Sequence, residues 1–225
     1  MHCQARTTNP PNLRAKAHPL SVRTPYAGHP AGPSGSAPGP HHIDCFLDGS
    51  SQSLFLLVTP ISQLNPLPAA NFVELLGGVY EHSEWVAWRA TAMRPFLDRA
   101  DLVAKMRAIV DAATEDQKLT LIRAHPDLAG KVARAGALTS ESAREQGGLG
   151  LDRLSDSEHD EFNELNTRYR ERFEFPFIIC ARLTTKKGIL AAFHSRIENS
   201  RPEEIVEALR QIHEIARLRI EDLVA

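Results

Sequence analysis

Cysteine is scarce in this chain: Cys3, Cys45 and Cys180 are the whole complement in 225 residues. Three thiols cannot staple a chain of this length, which excludes a disulfide scaffold. None of them stands in a C-x-x-C spacing, so no thiolate zinc site is expected. Long apolar runs are missing as well. The best candidate, Leu54-Phe55-Leu56-Leu57-Val58, falls far short of the roughly 18 residues that cross a bilayer. A formal charge of −2 leaves no basic footprint for nucleic acid. There is no P-loop, no G-x-G-x-x-G after a strand and no G-x-S-x-G elbow, so nucleotide-cofactor and serine-hydrolase readings have no support.

Aspartate and glutamate are absent from residues 1–43, which hold eight of the fifteen prolines and five of the ten histidines. Arg6, Arg14, Lys16 and Arg23 are the only fixed charges there, so the rest of the chain carries a formal −6. The run from Gly28 to Pro40 is Gly, Pro, Ser, Ala and one His, too little apolar surface to offset its chain entropy. Residues 1–58 are therefore expected to be a disordered Pro/Gly/Ser/His-rich extension, and residues 59–225 a folded domain. An acid-poor, Arg-containing start resembles an organellar transit peptide. The simpler reading is a dispensable tail, or a start codon set too far upstream, because no amphipathic Arg helix is visible and prolines interrupt the segment. No secretory signal is visible, and Asp222-Leu223-Val224-Ala225 is not a peroxisomal signal, so a cytoplasmic location is the default.

From about residue 60 the composition turns helical. Pro68 opens a segment that closes at Gly77-Gly78, and Ser83 is placed to cap a helix through Trp85, Val86 and Ala87. Asp98 or Asp101 opens a helix with Leu102, Met106, Ile109 and Val110 at helical spacing. Thr114 to Gln117 and Ser155 to Glu158 have capping-box spacing, each ahead of an apolar periodic run. Thr185 precedes Ile189, Leu190 and Phe193, and Asn199-Ser200-Arg201-Pro202 starts a last helix that runs close to Ala225. Only Phe175 to Cys180 reads as extended, and Pro176 argues against a central strand. The expected fold is all-α: one compact helical domain of seven or eight helices.

Four places break the helical pattern. The last helix has a stripe of Ile205, Leu209, Ile212, Ala216, Arg219 and Leu223, so a guanidinium stands inside an apolar face. It is either a structural arginine paired with a carboxylate or helix-end carbonyls, or a pocket arginine that grips an anionic substrate. In His125-Pro126-Asp127-Leu128-Ala129-Gly130 the proline pushes His125 out of the α region at a helix end. Such a histidine either faces the helix dipole or does acid–base work. Thr139 to Gln146, if helical, sets Ser142, Glu145 and Gln146 on one face, which is either a solvated surface or a polar site. Phe177-Ile178-Ile179-Cys180-Ala181 exposes backbone amides that either a buried connector or a flat amide ligand would satisfy. Tyr80-Glu81-His82-Ser83 offers a second histidine beside a helix cap, with a structural role as the simpler reading.

Four segments, Gly77-Gly78-Val79-Tyr80-Glu81-His82-Ser83, Arg123 to Gly130, Leu138 to Gln146 and Phe175 to Arg182, resemble the OHCU decarboxylases, which act on 2-oxo-4-hydroxy-4-carboxy-5-ureidoimidazoline in the last step from urate to (S)-allantoin. The resemblance runs from about Ile61 to the C-terminus, and its four separated motifs occur in the right order. It implies an all-α fold, a homodimer, and neither metal nor organic cofactor. It implies a catalytic histidine at His125 with Pro126 lining the pocket. It places the family's Ser-x-x-Glu-Gln motif on Ser142, Glu145 and Gln146, with Glu145 catalytic. It puts main-chain substrate contacts at Phe177, Ile178, Ile179, Cys180 and Ala181, and the family's late arginine at Arg219.

Loss of CO₂ leaves electron density that the substrate's own ring accepts, so the chemistry needs no pyridoxal or thiamine. His125 is expected to handle the proton, with Glu145 orienting it and fixing its tautomer. Ser142, Gln146 and the 177–181 backbone are expected to bind ureido and ring amides, and Arg219 to offset negative charge. The partner is a small molecule, with no role for nucleic acid or membrane. The competing readings are a hydrolase or isomerase of a related imidazoline, and a catalytically silent helical interaction module.

Overall fold

The computed structural model describes residues 58–130 and 138–225. The expectation of a disordered extension falls on residues outside this range, apart from Val58. Nine α-helices occur among the described residues: α1 Ile61–Leu64, α2 Ala69–Leu76, α3 Trp85–Ala90, α4 Arg99–Asp111, α5 Glu115–Arg123, α6 Ser140–Gly147, α7 Asp156–Phe173, α8 Lys186–Arg196 and α9 Arg201–Leu223. Short 3-10 turns cover Thr91–Met93 and Ala181–Leu183. Eight of the nine helices are those the residue spacing predicts, and the four-residue α1 is the addition. The described residues contain no strand beyond an isolated bridge between Thr59 and Val224, which ties the start of the domain to its end.

Local chemistry sets most helix starts. Thr114 and Ser155 form the reciprocal capping boxes with Gln117 and Glu158. Asp98, Thr139 and Thr185 accept from the backbone N–H three residues on. Ser83 does not cap α3: Glu84 holds the N-cap position without a side-chain cap bond, and Ser83 is buried. The helix is held by packing, because its apolar face contributes Val86, Ala87 and Ala90 to the core.

The 23-residue α9 is the axis of the domain and packs on α2, α4 and α5. Its buried arc is broader than the sequence stripe. Ile212, Ala216 and Arg219 are buried as expected, whereas Ile205, Leu209 and Leu223 are half-buried. Glu204, Gln211 and His213 are buried too, each with a polar partner. Glu204 accepts from Tyr169 on α7 and from Arg196 at the end of α8. His213 accepts at Nδ1 from the Tyr80 hydroxyl, 3.1 Å away, and donates from Nε2 to Asp111, also at 3.1 Å.

Residues 176–180 form an irregular extended segment with no strand partner. Its Phe177 ring packs edge-on against Tyr169 and under the Arg196 guanidinium, whose carbon lies 4.4 Å from the ring centre. Arg196 also donates to the Ile178 carbonyl at 2.7 Å, and Gln211 accepts from the Cys180 N–H at 2.8 Å. The segment is thus fixed from behind by side chains of α8 and α9, which answers the demand of its backbone groups for partners.

Candidate active site

The end of α5, one face of α6, the extended segment and α9 enclose a recess. His125, Pro126, Ser142, Glu145, Gln146, Phe177, Ile178, Ile179, Ala181 and Arg219 all line it, with Leu128 and Ile215 completing the wall. Of the residues singled out in the sequence, Cys180 is the exception. Its thiol is buried, its N–H is spent on Gln211, and it does not face the recess. The recess is narrow, about 40 Å³, enough for a few atoms. It adjoins a wider cleft of about 480 Å³ through three shared residues, Glu145, Ala181 and Arg219.

His125 stands one residue past the C-cap of α5, where Pro126 breaks the helix. Its Nδ1 lies 2.9 Å from the Leu121 carbonyl. A carbonyl only accepts, so Nδ1 carries the hydrogen and Nε2 keeps its lone pair in the neutral ring. Burial pushes the imidazole down to about 4, and the Leu121 carbonyl and the nearby Glu81 charge offset this only in part. The ring is therefore a neutral base at physiological pH, 6% exposed and held in one tautomer.

The tautomer is thus set by Leu121 and not, as the sequence led us to expect, by Glu145. Both oxygens of Glu145 bind Arg219 instead, at 2.8 Å from Nε and 2.8 Å from Nη2. Arg219 donates further to Glu81 at 2.8 Å, to the Gly78 carbonyl at 3.1 Å and to Ser142 Oγ at 3.3 Å. Each of its three nitrogens is engaged and five bonds leave it, the full donor capacity of a guanidinium. Burial opposes the charge, but the two carboxylates outweigh it and hold Arg219 firmly protonated.

Glu81 is the member of this cluster that sequence reasoning passed over as structural. It is 2% exposed and accepts from Arg219, from Thr139 Oγ1 at 2.8 Å and from Ser142 Oγ at 3.1 Å. Burial raises its carboxyl, yet the bonds and charge of Arg219 prevail and keep it below the usual range. The signal available in the sequence was its place in the quoted Tyr80-Glu81-His82-Ser83 motif, where attention went to the histidine. His82 beside it takes a left-handed φ of 47°, a strained conformation for a non-glycine residue at the edge of a site.

Gln146 bonds its Oε1 to the Ala129 N–H at 2.9 Å, and so fixes the turn after His125, where Ala129 sits at φ 52°. Asp127 in the same turn pairs with Arg170 of α7 at 2.8 Å. Among the described residues, no three His, Cys, Asp or Glu side chains group so as to hold a metal ion. No helix among them is long and apolar enough to cross a membrane.

Residues 65–221 match the family OHCU decarboxylase. A 2-oxo-4-hydroxy-4-carboxy-5-ureidoimidazoline decarboxylase of Haloferax volcanii is 39% identical over 71% of this chain and 93% of its own length. The uric acid degradation bifunctional protein PucL of Bacillus subtilis is 39% identical over 73% of this chain, which spans 32% of that longer protein. The solved structure of an (S)-allantoin synthase superposes with a TM-score of 0.59 at 34% identity, covering 74% of this chain and 54% of the other. Motifs, fold and similarity agree that the chain belongs to the OHCU decarboxylase family.

Proposed function

We infer that this protein is a carboxy-lyase that converts 2-oxo-4-hydroxy-4-carboxy-5-ureidoimidazoline to (S)-allantoin in urate degradation. The observation that carries this reading is the His125 ring, buried, neutral and fixed through Nδ1 by Leu121, which leaves Nε2 as the basic atom of a residue that lines the recess. The substrate's name places carboxylate and hydroxyl on one ring carbon, C4, next to a carbon, C5, that bears the ureido group and a C=N bond. When the C4–carboxylate bond breaks, its electron pair forms C4=C5 and the C=N pair moves to nitrogen, which takes a proton from water. His125 Nε2 accepts the proton of the resulting enol hydroxyl and returns it to one face of C5. C4 becomes the carbonyl of allantoin, and one proton is consumed for each CO₂ released. A depressed imidazole suits this sequence, because once protonated it is a strong acid toward carbon.

The surrounding groups hold the ring in place. Ile178 and Cys180 turn backbone groups toward Arg196 and Gln211. In an extended chain the next residue faces the other way, so Ile179 presents its N–H and C=O to the recess, where they pair with ring amides. Gln146, its oxygen engaged by Ala129, donates N–H to a substrate carbonyl. Arg219 acts through Glu145, Glu81 and Ser142, whose places it fixes, and its charge is taken up by the two glutamates. We further propose a homodimer in the cytoplasm. Light scattering of the full chain tests the dimer.

The assay generates the substrate in situ from urate with urate oxidase and hydroxyisourate hydrolase, adds the protein and follows optical activity. Rapid formation of one allantoin enantiomer is expected. Slow racemic product from folded protein would overturn the reading in favour of another ureide. The pH profile of kcat/KM should fall on the acid side near 4, where Nε2 gains a proton and loses its base function. An acid limb centred near 6.5, the ordinary histidine value, would show that the working base is not this buried ring.

A further inference from the structure

We propose that Arg144, at the mouth of the wide cleft, captures the substrate's carboxylate and makes the site select the anionic substrate over the neutral product. The assignment rests on the decarboxylase reading above. Its starting point is that the inner site has no cation to offer. All the donor capacity of Arg219 is spent on Glu145, Glu81, Ser142 and Gly78. With His125 neutral, Arg219 and the two glutamates leave the recess floor with a formal charge of −1. A carboxylate-bearing ligand meets repulsion there and finds no free N–H on the guanidinium.

The cleft outside is different. Glu141, Arg144, Arg182 and Asp222 are its charged residues beyond those shared with the recess. Arg182 is committed to Asp222 by two short bonds of 2.6 and 3.0 Å. Arg144 is exposed, and its ion pair with Glu141 is a loose 4.0 Å contact. It lies on α6 next to Glu145, so it stands one residue from the boundary between cleft and recess. The recess is narrow, and the cleft that shares Glu145, Ala181 and Arg219 with it offers the most room, about 480 Å³, for the rest of a ring carrying a ureido group, with Arg144 in its wall. Decarboxylation then removes the charge that Arg144 recognises, and allantoin leaves without that attraction.

The test compares Arg144→Glu, Arg144→Lys and a charge-matched control, Arg168→Glu, on the exposed side of α7 outside the cleft. The full chain is assayed with substrate generated in situ, at low and high ionic strength, with (S)-allantoin as a competing ligand. Arg144→Glu should lower kcat/KM by about tenfold or more at low salt, and the deficit should shrink as salt screens the charge. Arg144→Lys should retain most of kcat/KM, Arg168→Glu should match the parent, and inhibition by allantoin should be unchanged in all three. A parent-like kcat/KM in Arg144→Glu at low salt overturns the assignment. So does a deficit that ignores salt or that weakens allantoin equally, since either marks damage to α6. Failure of the unmodified protein to turn over the substrate is a separate result, and removes the decarboxylase reading together with this assignment.

Discussion

Replacing His125 with Asn is expected to lower kcat by about 10² to 10⁴, the range for a positioned acid–base group, while leaving the helical fold intact. Asn suits the test because its amide N–H can replace Nδ1–H toward the Leu121 carbonyl and so preserve the local bond. What it lacks is a base at the position of Nε2. Circular dichroism and thermal unfolding establish the fold, and turnover establishes the chemistry. A folded Asn variant with near-normal kcat would remove His125 from the mechanism. Stability supplies a second readout. The folded-state value lies near 4, below the unfolded 6.5, so the unfolded chain binds the extra proton between those pH values. Stability therefore rises with pH across that window, and the parent loses it on acidification. The Asn variant should lose less stability between pH 6.5 and 4 than the parent does.

Arg219→Ala should have the largest effect on stability. Its removal leaves Glu81 buried without this counter-charge and takes from Glu145 the cation bonded to both its oxygens. Breaking a buried pair from one side costs about 3–5 kcal/mol, and turnover should be lost along with the placement of Glu145. The diagnostic is again the direction with pH. Without the guanidinium, desolvation pushes the Glu81 carboxyl above its unfolded value, so the folded state binds the extra proton. The stability deficit of the variant relative to the parent should therefore shrink as pH falls from 7 toward 5. Adding Glu81→Gln to Arg219→Ala should recover part of the loss, as expected for residues that interact directly. An Arg219→Ala protein as stable as the parent at pH 7 would show that the cluster carries no such charge balance.

These expectations also mark how far each kind of reading reaches. Arg219 was conspicuous in the sequence because a charge interrupts an apolar stripe, but both of its possible roles stayed open. The structure favours the paired one, since its partners Glu81 and Glu145 lie 138 and 74 residues away. Glu81 itself broke no pattern, because it sits in a turn that has no period to violate. Glu204, Gln211 and His213 break no pattern in the sequence of α9, and the packing of α4, α7, α8 and the 176–180 segment around that helix buries them. The tautomer of His125 was assigned to the wrong neighbour for the same reason. Glu145 is a natural chemical choice for that role, whereas a backbone carbonyl four residues upstream leaves no trace in side-chain identity.

By itself, the amino-acid sequence determined the helical class, most of the helix starts and most of the residues from which the recess is built. Those depend on interactions within three or four residues, such as the Thr114–Gln117 and Ser155–Glu158 boxes, and on side-chain types that break a local period. Tertiary structure alone decided which of those residues bind one another, that Cys180 turns away, that Glu81 belongs to the cluster and that Arg219 has no donor to spare. Those are consequences of burial and of contacts between distant segments. A hydrogen bond or ion pair has a definite direction and partner only after packing has removed water and fixed the geometry around it.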